Sequence, residues 1–290
     1  MHAAPATEPS CPTTRRGPAG NPGTVSADDM RRLALLTVGL KQRIRALLDL
    51  APGQRVLDVG CGPGLDARAV AESVGPAGRV AAIDYDPAMI RAAHDTDEAR
   101  ATGIPRVWYQ LADAAGIPYR TNTFNGCYSE RVLQHTSNAA AVVSEMARVT
   151  KPGGVIVVAD TDWATLSIDA PEPAVERALV RFVGDALRNG LAGRQLRRLM
   201  KTADLRFIEV EAWPLVWTDY TLFRSTSLSL MQMERRAVGA GALSADDVTR
   251  LDEALLDADR RGEFFASAAV IVARGRKNMS DSRQVTQVEK

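Results

Sequence analysis

The segment VLDVGCGPGLDA, from Val56 to Ala67, constrains the fold more than any other part of this 290-residue chain. An apolar run ends in three glycines at alternate positions, Gly60, Gly62 and Gly64, and a helix-forming stretch follows. Glycine permits positive φ and, lacking a Cβ, lets backbone approach a ligand closely. The helix beyond points its first N–H groups into the same space.

The rest of the chain repeats this strand-then-helix rhythm. RVLDVG leads to LDARAVAESVG, a helix closed by Gly75. RVAAIDYD is a second strand, and PAMIRAAHDTDEARATG is a helix with Pro87 near its start. RVWYQLAD and FNGCYSE are the third and fourth strands. NAAAVVSEMARVT is a helix stopped by the turn KPGG, and GVIVVAD is the fifth strand. Beyond Asp160 helical segments cover about 171–203, RFIEVEAWPLVW is a strand, two more helical segments cover about 221–261, and FFASAAVIVARG is the last strand. Alternation of this kind implies parallel neighbours joined by helical crossovers. The nearly continuous apolar strands imply a sheet covered on both faces. The expectation is an α/β, doubly wound, seven-stranded, mostly parallel sheet of Rossmann-like type, with helical insertions that cover the substrate. Ligands of such sheets bind outside the carboxyl ends of the strands. The turns at Gly60, Asp84, Asp113, Ser129 and Asp160 should therefore share one rim.

Upstream, SADDMRRLALLTVGLKQRIRALLDL carries Leu33, Leu36, Leu40, Ile44, Leu47 and Leu48 at helical spacing, with Ser26 as N-cap and Asp28 and Asp29 in the first turn. Residues 1–26 are rich in Pro, Gly, Ala and Thr and read as a disordered tail. One domain is expected over 27–276, with 221–261 as either a lid or a dimer segment. Residues 277–290 read as a second loose tail.

Charge and cysteine usage exclude several classes. A net charge of +1 argues against a nucleic-acid partner. Three cysteines, Cys11, Cys61 and Cys127, form neither a disulfide framework nor a zinc pattern, so no metal is expected. No apolar run of about 18 residues and no secretory leader is present, which points to a cytoplasmic protein without a membrane partner.

The glycine spacing separates related cradles. A dinucleotide fingerprint requires a small residue where this chain has Leu65, which disfavours a pyrophosphate and a nicotinamide dehydrogenase. VLDVGCGPG instead resembles the first motif of class I S-adenosylmethionine-dependent methyltransferases. VAAIDYDPAMIRAA, LADAAGIPY, FNGCYSERVLQH and VTKPGGVIVVAD resemble the family's later motifs in order, over about residues 30–162. The subgroup is similar to small-molecule methyltransferases near the quinone C-methylating enzymes.

The resemblance implies S-adenosylmethionine as cofactor, held by Asp58, Gly60, Cys61, Gly62, Gly64, Asp84, Tyr85, Met89, Asp113, Ala114 and Ser129. Asp84 ends a strand, where its carboxylate would accept both ribose hydroxyls. Asp58 would bond the glycine-loop backbone or face the cofactor's ammonium, since a buried carboxylate needs partners. Asp113 would lie near the adenine amino group, while Met89 and Ile90 would cover the ring or serve as core. The reaction expected is methyl transfer to a carbon or oxygen of a small molecule, a secondary metabolite or quinone-like compound.

A base is required only where the nucleophile must lose a proton. Candidates are His135, Glu130 and Asp162, each of which could instead order its own loop. His94 reads as solvated and His2 lies in the tail. Trp163, Trp213, Trp217, Tyr220 and Phe223 could line an apolar acceptor pocket or be ordinary core. GRQLRRLM is a solvated basic helix face or a lure for an acidic substrate. A metalloid acceptor is disfavoured by the cysteines. Two rival readings keep the fold: a cyclisation or rearrangement enzyme without net methylation, and a non-catalytic cofactor-binding scaffold.

Overall fold

A computed structural model describes residues 36–98, 106–226 and 230–279. The predicted tail over 1–26, the cap at Ser26, Asp28, Asp29 and Leu33 lie outside the described residues. The first described helix, α1, is Val38–Leu48. Its buried residues, Leu40, Ile44, Leu47 and Leu48, follow helical spacing, and it ends at Asp49 in the left-handed conformation.

The alternating segment follows as β1 (Arg55–Val59), α2 (Leu65–Val74), β2 (Arg79–Asp84), α3 (Pro87–Glu98), β3 (Val107–Leu111), β4 (Phe124–Glu130) and α4 (Ala139–Val149). A single 3-10 turn, Leu133–His135, separates β4 from α4. Next come β5 (Thr150–Ile168), α5 (Pro173–Ala186), α6 (Ala192–Thr202) and β6 (Leu205–Trp217). Three helices, α7 (Tyr220–Thr226), α8 (Leu230–Gly239) and α9 (Ala245–Arg260), precede β7 (Ala266–Lys277).

The seven strands form one sheet in the order β3-β2-β1-β4-β5-β7-β6. The pairs from β3 to β5 are parallel, and β7 runs antiparallel between β5 and β6. The order reverses between β1 and β4, which is the switch point of a doubly wound sheet. Side chains alternate between two cores as a pleated strand requires. Val56, Tyr128, Val155 and Val157 pack toward α1, α2 and α5. Leu57, Cys127, Ile156 and Val158 pack toward α4 and α6.

Four expectations need correction. The fifth strand is not confined to GVIVVAD, because KPGG is a bulge rather than a terminating turn. Phe124 pairs with Thr150, the register shifts, and pairing resumes at Gly126 with Val155. Gly153 takes φ 76 within the bulge. At its far end β5 outlasts its parallel neighbour because β7 continues to supply hydrogen bonds, as far as Ile168 opposite Ala266. The last strand does not stop with FFASAAVIVARG, since Lys277 belongs to β7 and its Nζ donates to Asn122 Oδ1 at 2.8 Å. Residues 221–261 hold three helices, and α8 and α9 send Leu230, Met233, Leu251 and Leu255 into the larger core.

The aromatic residues divide the same way. Trp217, Tyr220 and Phe223 are fully buried, with the Trp217 and Phe223 rings edge-on at 5.3 Å and Tyr220 against Phe264 at 5.2 Å. These three are core and no pocket lining. Trp213 is partly buried and lies so close to Gly39 that an added Cβ there would come within 2.9 Å of its Cζ2.

Candidate active site

The glycine turn leaves β1 at the switch point and enters α2. Gly60, Gly62 and Gly64 have φ of 76, 51 and 78°, values that favour glycine. A Cβ on Gly60 would collide with Val132 Cγ2, and one on Gly64 with the Tyr109 hydroxyl. The loop is held from β2. Asp84 accepts from Gly62 N at 2.9 Å through Oδ2 and from Asp86 N at 2.9 Å through Oδ1. Burial raises the Asp84 pKa, and these bonds oppose the rise. Asp86, not Asp84, caps the start of α3 by accepting from Ala88 N at 2.7 Å.

A cleft opens beside the loop, lined by Lys41, Asp58, Gly60, Cys61, Gly62, Pro63, Leu65, Asp66, Tyr128, Glu130 and Arg131. Asp58 was expected to bond the loop backbone or face an ammonium. Its Oδ2 accepts from the Tyr128 hydroxyl at 2.6 Å, the loop bond is made by Asp84, and the side chain lines the cleft. The physical reason is the pleat: Asp58 and Tyr128 are direct partners across β1 and β4 and point to one face. Burial holds the Asp58 pKa well above the ordinary carboxyl range. Cys61 is buried too, which raises its thiol pKa, so it packs as an inert side chain of the loop.

Across the mouth, Lys41 of α1 joins Asp66 of α2 to Glu130 of β4, the latter at 2.9 Å. Burial alone would lower the Lys41 pKa, but Glu130 and Asp66 outweigh it and the net shift is upward. Glu130 also meets Arg131 Nε at 3.1 Å. Burial would raise the Glu130 pKa, yet Lys41 and Arg131 hold it below the usual range. A carboxylate so held is a weak proton acceptor. Sequence reasoning missed Lys41, and no local pattern marks it.

The other predicted residues are spread around the rim. Tyr85 is 60% exposed just after β2, and Met89 is buried on α3. Asp113 is exposed and its Oδ1 accepts from Ala115 N at 2.8 Å, with Ala114 half-buried between. Ser129 is fully buried at the carboxyl end of β4, and its Oγ has no hydrogen-bond partner. Asp160 does reach the rim, where its Oδ2 accepts from Leu133 N at 2.6 Å; burial nonetheless lifts its pKa to about 7. Asp162 pairs with Arg194 of α6 at 2.6 Å through Oδ2, while its Oδ1 is buried without a partner. His135 stands in the 3-10 turn with Nε2 at 3.0 Å from Gln134 Nε2. Burial, then Arg131 and Arg188, lower its pKa to about 4. His94 is exposed and edge-on to Tyr109. On α6 the GRQLRRLM helix buries Leu196, Leu199 and Met200 and turns its basic residues outward, apart from the Arg194 contact.

A second cavity, of about 300 Å³, lies elsewhere, under the KPGG bulge between Asp49, Asn125 and Arg276. It is at the amino end of β4 and β5, away from the glycine loop. Among the described residues, no group of three or more His, Cys, Asp or Glu could hold a metal ion. No helix among them is long and apolar enough to cross a membrane.

A seven-stranded sheet of this order, with a glycine cradle at the switch point and an acid closing β2, is a Rossmann-like fold. Residues 57–158 match the family model described as a methyltransferase domain. The chain is 36% identical, over 78% of its length, to an uncharacterised 37.1 kDa protein of transposon Tn4556 from Streptomyces fradiae. It is 35% identical, over 41% of its length, to a demethylmenaquinone methyltransferase of Corynebacterium urealyticum. It spans 63% of the first relative and 47% of the second. Among solved structures, YcgJ of Bacillus subtilis superposes with a TM-score of 0.58 at 17% identity, covering 82% of this chain and 97% of its own. A phosphoethanolamine N-methyltransferase of Haemonchus contortus, solved with S-adenosyl-L-methionine, gives 0.56 at 17% identity, covering 87% and 57% respectively. At these identities the structures establish a shared fold.

Proposed function

We propose that this chain transfers a methyl group from S-adenosylmethionine to a carbon or oxygen of a small-molecule acceptor, a secondary metabolite or quinone-like compound. The observation that carries the reading is the glycine cradle Gly60–Gly64, tied by Asp84 and opening on a cleft of mixed charge. The cofactor fits that donor set. Its zwitterionic amino-acid end would meet Lys41 and Arg131 on one side and Asp66 and Glu130 on the other. Its ribose would face Asp84, and its adenine would lie by Asp113, Ala114 and Met89, with Tyr85 at the edge. The unpartnered Ser129 Oγ supplies one more polar contact at the same rim.

When bound, the cofactor supplies a methyl carbon on a sulfonium. The protein's share is to bring the nucleophile to roughly 3–3.5 Å on the correct axis and to keep water away. Of the three candidate bases, Glu130 is neutralised by two cations, and Asp162 is tied to Arg194 through one oxygen only. The same reading places the enzyme in the cytoplasm, where the buried thiols Cys61 and Cys127 stay reduced. The test is calorimetric titration with S-adenosylmethionine, S-adenosylhomocysteine and NAD, followed by acceptor screening for a mass gain of one methyl. Binding of the first two alone is expected. A transformed acceptor without added mass would replace transfer by rearrangement.

A further inference from the structure

Trp163 Nε1 lies 2.7 Å from Gln134 Oε1, and Gln134 Nε2 lies 3.0 Å from His135 Nε2. These contacts fix the protons. An indole N–H can only donate, so the Gln134 atom facing it is the carbonyl oxygen. The Gln134 nitrogen then faces the imidazole, and it too can only donate. His135 Nε2 is therefore the acceptor, and in the neutral ring the proton sits on Nδ1. Gln134 is 4% and Trp163 5% exposed, so water does not compete for either bond. Asn189 N donates to the Gln134 carbonyl at 3.2 Å and steadies the same turn from the α5–α6 connection.

The surroundings reinforce this state. His135 follows Arg131, which lines the glycine cleft, and the charge of Arg188, in the α5–α6 connection, acts on the ring as well. Both guanidiniums, with burial, oppose protonation and keep the imidazole neutral. A general base needs a free lone pair, and here that lone pair is spent on Gln134. The ring's remaining nitrogen is a donor with no partner among the described residues.

We infer that His135 is no base but a fixed Nδ1–H donor beside Arg131, selecting acceptors that carry an ionised or carbonyl oxygen. This rests on the methyl-transfer reading and overturns the expectation that His135 removes a proton. An acceptor that arrives as an oxyanion needs no base, which agrees with the weak basicity of Glu130.

The test uses the full chain with ¹⁵N-labelled histidine. Long-range ¹H–¹⁵N correlation spectra, with the His135 signals assigned by their loss in His135→Gln, should show a neutral Nδ1–H ring from pH 5.5 to 8.5. An Nε2–H ring, or a titration midpoint between 6 and 7, would overturn the relay. Gln134→Glu places an acceptor opposite Nε2 and should draw a proton there. An unchanged Nδ1–H spectrum in that variant would also count against it. With S-adenosylhomocysteine saturating, 2-hydroxy-1,4-naphthoquinone, an anion at neutral pH, should bind the wild type about 10-fold more tightly than 1,4-naphthoquinone. Equal affinities would remove the selective role. Absent binding of S-adenosylhomocysteine would sink the methyl-transfer reading and the acceptor role with it. A wrong tautomer with that binding intact sinks the relay alone.

Discussion

Asp84 anchors Gly62 and Asp86 with the two oxygens of one carboxylate, so the shape of the loop depends on this group, and in the proposed cofactor mode a ribose would meet it as well. Asp84→Ala should weaken S-adenosylmethionine binding about 10–100-fold in calorimetry, because charge-assisted bonds contribute roughly 1.5–3 kcal/mol. Unchanged affinity would refute the assignment. Gly60→Ala should destabilise the fold by about 2–4 kcal/mol in urea titration, since positive φ and the Val132 methyl both oppose a Cβ. Asp84 and the three glycines were legible because they punctuate a strand–turn–helix pattern. The partners of Asp58, Lys41 and His135 were not. Asp58 meets a residue 70 positions away, and Lys41 meets one 89 away. Such pairs are made by the pleat and by helix packing, and they leave no local period to read. His135 was placed correctly on the rim, yet its proton is set by Gln134 and Trp163, which carry no signature as a pair.

Individual elements were legible in proportion to their regularity. FNGCYSE marks β4 residue for residue, because turn-forming residues precede it and the rim follows it. The outer reaches of β5 were hidden, because their hydrogen bonds come from β7, about a hundred residues further along. The start of α9 repeats the tetrapeptide SADD found at residues 26–29, and here it forms a full capping box. Ser244 Oγ accepts from Asp247 N at 3.0 Å while Asp247 Oδ2 accepts from Ser244 N at 3.0 Å. Ser244→Ala should cost about 1 kcal/mol in thermal or urea unfolding. No change would mean that packing of Leu251 and Leu255 alone holds the helix. Between α7, α8 and α9 lies a second cluster. Arg224 meets Asp252 at 2.5 Å and Glu234 at 3.5 Å, and Tyr220 donates to Asp252. One guanidinium facing two carboxylates leaves Glu234 poorly compensated. Burial first, then Asp252, lifts its pKa to about 7.

For the molecule as a whole, Glu234 and Asp160 make stability depend on pH near neutrality. Both hold protons in the folded state that the unfolded chain has released above about pH 4–5. The folded state therefore binds more protons in that window, and stability falls as pH rises through about 7. Carboxyls held below the usual range, such as Glu130 and Glu145, are ionised throughout and add no slope there, while His135, lowered to about 4, adds a smaller opposing rise that ends near pH 6.5. The melting temperature should be higher at pH 5.5 than at pH 8. Glu234→Gln should flatten the profile and stabilise the protein at pH 8 by about 1–3 kcal/mol. A profile that rises toward pH 8 in the wild type would contradict both assignments. The sheet order has a consequence of another kind. β7, the last strand among the described residues, lies between β5 and β6. During synthesis on the ribosome, β6 emerges with no strand to join, and β5 shows an open edge until β7 is free. Open edges invite pairing with other chains. The nascent protein is therefore held incomplete until β7 has emerged, and it closes by inserting that strand into a waiting gap. A chain ending before Ala266 should lose cooperative unfolding and aggregate, whereas a soluble, cooperatively melting truncation would show that β7 is dispensable.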